Sequence, residues 1–197
     1  MPGHIWPRPW LPDRIEGDPD RLALLIPGNG YSPERPLLHF ARAVFMKHGW
    51  TTQELWWPER PPRPEPSQMA MMREFAVRHV AAALERESAP KIALVGKSMG
   101  TFAAGIAADR GLPAVWLTPV LQYGDSVADL RRATAPFLLV GGTGDRGWIP
   151  ETARGFGQPV CEIEGADHGM ETDDDPVNSA LILHQITIAI DRFVSKL

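Results

Sequence analysis

The segment Ile92-Ala93-Leu94-Val95-Gly96-Lys97-Ser98-Met99-Gly100-Thr101-Phe102-Ala103-Ala104-Gly105-Ile106-Ala107-Ala108 joins an unbroken apolar run to a run of small residues through five residues patterned G-x-S-x-G. The apolar run closed by glycine predicts a strand buried on both faces. Thr101 to Ala108 predicts a helix whose small side chains let it approach a sheet closely. Between them the pattern calls for a very sharp turn, with Ser98 held in a strained conformation and its hydroxyl exposed. Side chains two positions before and two after would collide, which is why Gly96 and Gly100 stand there. Ser98 then sits at a helix N-terminus, where free N–H groups favour developing negative charge, and the Met99 N–H points into the same space as an oxyanion donor.

Working outward, short apolar runs alternate with longer amphipathic ones. Leu22–Ile26, Ala114–Leu117, Pro136–Val140 and the shorter Pro159–Ile163 read as further strands, and Thr51–Trp57 is β-prone. Helices are expected after Ser32-Pro33-Glu34 (an N-cap, a proline at the first helical position and an acid in the first turn) up to Gly49, and over Ser67–Arg86, Ser126–Ala133 and Pro176–Val194. Strands separated by helices require a mostly parallel sheet of about six strands with helices on both faces, a three-layer α/β sandwich. Residues 1–20, rich in Pro and Trp, show no alternation and are expected to form an irregular arm. The stretch Pro58 to Pro66 cannot be helix or central strand, because proline lacks the N–H and fixes φ. It follows a strand, so it lies at the carboxyl edge of the sheet, where such folds bind ligands.

Composition narrows the functions. The 197 residues carry 20 Lys+Arg against 24 Asp+Glu, a formal charge of −4, which leaves no broad basic footprint for nucleic acid. They make one domain, 1–197, rather than two. One cysteine, Cys161, excludes an internal disulfide and a Cys-based metal cage. No run approaches the roughly 18 apolar residues of a membrane span, and the N-terminus lacks a secretory signature, so a cytoplasmic location is expected. A phosphate-binding loop is rejected because Lys91 stands where its first glycine belongs, and the dinucleotide-like Gly142-Thr143-Gly144-Asp145-Arg146-Gly147 is interrupted by Pro150 with too little chain after it.

A nucleophilic serine needs a base. Of six histidines, His39, His48, His79 and His184 fall in helical stretches and His4 in the arm. His168 lies in Gly165-Ala166-Asp167-His168-Gly169, a glycine-bounded loop past the last strand, and is the base by position and elimination. Asp145, in the turn after the strand at 136–140, is the expected third member, with Asp125 as substitute; Asp167 is badly placed to meet its own neighbour. Asp173-Asp174-Asp175 reads as a solvated turn capping the last helix.

With Pro27-Gly28-Asn29-Gly30, the G-x-S-x-G turn, Gly142–Asp145 and Gly165–Gly169 in the order Ser98…Asp145…His168, the chain resembles the α/β-hydrolase superfamily from Arg21 onward. The resemblance implies an α/β-hydrolase fold and a second oxyanion N–H from Asn29 or Gly30. The short approach to the first strand implies that the usual first antiparallel strands are absent or reduced. About 17 residues between Thr118 and Pro136 leave no room for a cap domain, so the chain is similar to small capless hydrolases near the dienelactone-hydrolase-like group, with Ser98 where some of those use cysteine. Loop 58–66 with Trp57, Trp148 and Tyr31 is expected to rim a shallow, substrate-binding pocket. The implied activity is hydrolysis of a small-molecule ester or thioester through an acyl-enzyme, with no metal or cofactor. Amidase or peptidase chemistry on the same triad, lyase or cofactor-free oxidative use of the site, and a non-catalytic interaction role are the alternatives. A homodimer covering the open site is compatible with the sequence.

Overall fold

A computed structural model describes residues 13–197. Among them the chain runs β1 (Arg14–Ile15), β2 (Asp18–Ile26), α1 (Pro36–Lys47), β3 (Trp50–Glu54), α2 (Met69–Leu84), β4 (Lys91–Lys97), α3 (Ala104–Arg110), β5 (Ala114–Leu117), α4 (Gly124–Arg132), β6 (Phe137–Gly142), α5 (Pro150–Arg154), β7 (Val160–Ile163) and α6 (Pro176–Val194). The strands form one sheet in the order β1-β3-β2-β4-β5-β6-β7, parallel throughout except for β1 against β3. The expected three-layer architecture is present, with no cap domain among the described residues.

The period of two along each apolar strand divides the core. Ala23, Leu25, Ala93, Val95, Val115, Leu117, Leu138 and Val140 face the layer of α1 and α6, meeting Phe45, Ile182, Ile186 and Ile190. The intervening Leu24, Ile26, Leu94, Trp116, Phe137 and Leu139 face the layer of α2 to α5, meeting Val80, Leu84, Ala104, Leu130 and Ala153. Uninterrupted apolar strands therefore serve two cores at once.

The chain leaves β2 for β3 on one side and returns to β4 on the other. Those oppositely directed crossovers open a crevice at the carboxyl ends of β2 and β4, a topological switch point. Ser98 directly follows β4 there.

Two expectations change. Residues 14–20 are not an irregular arm: Arg14 and Ile15 pair with Gln53 and Thr52, and β2 begins at Asp18 beside Trp50. Gly17 permits this, since a Cβ there would lie 2.6 Å from the Gly49 carbonyl oxygen. Among the described residues the antiparallel part of the sheet is this two-residue strand, giving seven strands rather than about six; residues 1–12 of the expected arm lie outside the described residues. The first helix starts at Pro36, not Pro33, and has no acid in its first turn. A helix from Pro33 would place Pro36 where an N–H must be donated, whereas at the first helical position proline loses nothing.

Candidate active site

The turn after β4 is as tight as its glycines require. A Cβ on Gly96 would lie 2.7 Å from the Gly100 oxygen, and one on Gly100 would lie 2.6 Å from the Ile26 oxygen at the end of β2. Ser98 has φ +51°, a left-handed conformation rare for a residue with a side chain. A short 3-10 segment, Ser98–Ala103, leads into α3, and the Thr101 hydroxyl donates to the Ser98 carbonyl at 2.6 Å. Farther along, Gly105 makes room for the Asp129 carboxylate of α4, 3.0 Å from where its Cβ would stand.

Asp145 and His168 reach the same edge from β6 and β7. Their loops are pinned together: Gly144 N–H donates to Ala166 O at 3.0 Å, Gly165 N–H to Thr143 Oγ1 at 2.8 Å, and a Cβ on Gly142 would lie 2.1 Å from the Ala166 oxygen. Asp167 shapes its own loop, accepting from the N–H groups of Gly169 and Glu171 at 2.7 and 2.9 Å. His168 Nε2 lies 2.8 Å from Ser98 Oγ and Nδ1 lies 2.7 Å from Asp145 Oδ2. A carboxylate can only accept, so Nδ1 carries the proton and Nε2 is left to accept from the serine hydroxyl. Asp145 is 7% exposed. Burial by itself pushes its carboxyl up; the His168 ring, the Gly147 N–H at 2.8 Å and the charges of His168 and Lys97 outweigh it and hold the group below its ordinary value.

The loop after β2 borders this array, because a Cβ on Gly28 would lie 3.2 Å from the Lys97 carbonyl oxygen. Asn29 Nδ2 donates to Pro62 O at 2.7 Å, which ties the proline-rich stretch to that loop. Gly30 is exposed with φ +73°. Trp57 is half-buried, donates to Gly28 O at 3.1 Å and meets Phe75 edge-on. Tyr31 is half-buried, its hydroxyl accepting from the Leu37 N–H at 3.1 Å. Met99 is fully buried.

Trp148 does not belong to the rim. It is 5% exposed, lies over Gly141 on the sheet face, and donates to Glu162 at 2.8 Å. Gly141 and Gly142 end β6 rather than open a turn, and the missing side chain of Gly141 provides the room the indole fills. Asp125 is also elsewhere, exposed and accepting from the Tyr123 hydroxyl at 3.0 Å. Asp175 caps α6 by accepting from Asn178 N–H at 2.8 Å, as the acidic run implied.

Two residues at this edge escaped the sequence reading. Lys97 is 2% exposed and donates to the His168 carbonyl oxygen at 2.9 Å. Burial pushes its ammonium down to about 8, against the pull of Asp145 and Asp167. Thr118 follows Leu117, the strand partner of Lys97; it is fully buried with φ +45°, and its hydroxyl has no partner among the described residues. A lysine at the buried end of an apolar strand was a visible signal; the strain at Thr118 was not.

No family model matches the chain. Among solved structures it is similar to Est1E from Butyrivibrio proteoclasticus bound to ferulic acid, with 14% identity, TM-score 0.69 and 93% of each chain covered. It is also similar to an alpha-beta serine hydrolase homologue from Coxiella burnetii, with 17% identity and TM-score 0.66 over 91% of this chain and 86% of that one. A serine hydrolase without a lid from Xanthomonas campestris matches at 14% identity and TM-score 0.65, over 94% and 85%. At these identities the likeness establishes the fold.

Proposed function

We propose that this chain, which has the α/β-hydrolase fold without a cap domain, is a serine hydrolase acting on a small-molecule ester or thioester. One observation carries the reading: the unbroken hydrogen-bond chain from Ser98 Oγ through the His168 ring to the buried Asp145 carboxylate, at 2.8 and 2.7 Å. Strained serine, base and orienting acid come from three different strand ends, so local chain geometry does not account for their meeting.

Each group has a defined task. His168 Nε2 takes the proton of Ser98 as Oγ attacks the substrate carbonyl carbon, and the resulting imidazolium is stabilised and held in its tautomer by Asp145. The oxyanion is received by the Met99 N–H, which lies in a first helical turn and has no intrahelical carbonyl to meet, and by an N–H of Asn29 or Gly30. His168 then gives its proton to the leaving oxygen or sulfur. Water, deprotonated by the same ring, releases the acyl group from Ser98. Beside Ser98, Met99 belongs to an apolar cluster with Met72, Phe75 and Phe102, against which the half-buried Trp57, Met69, Val120 and Tyr123 pack. That partly open surface favours an apolar substituent next to the scissile bond.

The test is labelling of the protein by a fluorophosphonate probe together with turnover of p-nitrophenyl esters of increasing chain length. Labelling and turnover are expected for the wild type, with both lost in Ser98→Ala and turnover falling at least about 10⁴-fold. Wild-type protein inert to the probe and to every ester would overturn the reading.

A further inference from the structure

The geometry points to Lys97 as a positioning residue that clamps the His168 loop and the Gly28–Tyr31 loop together on either side of Ser98. The inference rests on the reading of Ser98 as a nucleophile. Lys97 is the last residue of β4, and its side chain touches both loops. On one side its ammonium donates to the His168 carbonyl oxygen at 2.9 Å. On the other it lies 4.9 Å from the centroid of the Tyr31 ring, and its stem passes 3.3 Å from the position a Cβ of Gly28 would take.

Packing alone does not require a lysine here. Among the described residues the three N–H donors of this buried ammonium meet one carbonyl oxygen and one aromatic face, and no carboxylate comes within ion-pair distance of it. A methionine would fill similar space without burying a charge. The contact falls on the main chain of the base itself, and the angle and distance of an imidazole to its nucleophile matter at the scale of half an ångström. The charged groups around the ammonium are Asp145 beyond β6 and Asp167 in the base loop; the titratable His168 meets it through its main-chain oxygen, and Tyr31, itself acted on by the charges of Glu171 and Arg35, faces it from the first loop. The ammonium loses its proton at about 8, above which the charge-assisted hydrogen bond becomes a neutral one of roughly half the strength. The clamp therefore loosens on the alkaline side of neutrality.

The experiment measures the rate of fluorophosphonate labelling of the full chain between pH 6 and 10 for wild type, Lys97→Met and Lys97→Arg, with a thermal melt of each. The wild-type rate, corrected for probe hydrolysis, is expected to fall above about pH 8. Lys97→Met, still folded, should label at least 10-fold more slowly at pH 7 and lose that alkaline fall. Lys97→Arg keeps a permanent charge, so it should recover most of the rate and hold it past pH 8. A folded Lys97→Met protein that labels at the wild-type rate with the wild-type pH profile overturns the clamp alone. So does a loss of rate that only follows the unfolded fraction. Wild-type protein that resists the probe overturns the clamp together with the hydrolase reading.

Discussion

Replacing Lys97 by methionine should stabilise the protein near neutral pH while slowing it. The ammonium has its pKa pushed from 10.5 to about 8 by burial. Each unit is worth about 1.4 kcal/mol, so at pH 7 the folded state carries about 3 kcal/mol of unfavourable free energy that an uncharged side chain would not. Methionine gives up the charge-assisted hydrogen bond to the His168 carbonyl, worth about 2 kcal/mol, leaving a net gain of about 1 kcal/mol. For a chain of this size that corresponds to a rise in Tm of about 2–4 °C. The sign reverses with pH. Between about 8 and 10.5 the unfolded chain still holds the Lys97 proton and the folded one does not, so wild-type stability rises relative to the variant and overtakes it near the upper end of that window. Urea titrations of both proteins at pH 7 and pH 10 isolate this, because every other group titrates in both and cancels in the difference. A Lys97→Met protein less stable than wild type at pH 7, by an amount that does not change at pH 10, would refute the reasoning: the lysine would then be a favourable, paired part of the core.

Asp145→Asn should leave the fold intact and lower kcat by roughly 10³–10⁴-fold, since an amide no longer fixes the tautomer of His168; ester turnover with a circular dichroism control measures it. Below neutrality the same carboxylate, held under its ordinary value, contributes stability that is present above the unfolded carboxylate range and is lost as pH falls through its folded value; acid titration of wild type against Asp145→Asn should show that loss in the wild type alone. Gly100→Ala puts a methyl 2.6 Å from the Ile26 oxygen and 2.9 Å from the Pro27 oxygen, both main chain, so it should destabilise by at least about 2 kcal/mol in urea and abolish labelling of Ser98. Trp148→Phe removes the donor to Glu162 and should lower stability by about 1–2 kcal/mol while leaving kcat/KM within about twofold, which separates a core tryptophan from a rim one.

What could be read in advance was whatever local chain geometry dictates. Gly96 and Gly100 are required by contacts within one turn and with the adjacent strand end, so their spacing around Ser98 announces the strand, the turn and the helix together. Asp145 and His168 follow from counting strands, because parallel strands deliver all their trailing loops to one edge. The remainder depends on neighbours far away in sequence. Asp18, Pro19 and Asp20 are exposed and carry no strand-like alternation, yet they extend β2, because Gly17 lets the chain run against Gly49–Trp50 and the Thr51 hydroxyl accepts from the Gly17 N–H at 2.9 Å. Trp148 sits in a turn that looked like part of the rim, and only the empty face of Gly141 on β6 turns it inward. Lys97 shows both sides of this divide. Its oddity, a charge closing an apolar strand, is printed in the sequence, but its partner is the main-chain oxygen of residue 168, an atom that no side-chain pattern advertises. A motif can therefore name the groups that move a proton, whereas the groups that hold them in place act through backbone atoms and become visible only when the loops are seen side by side.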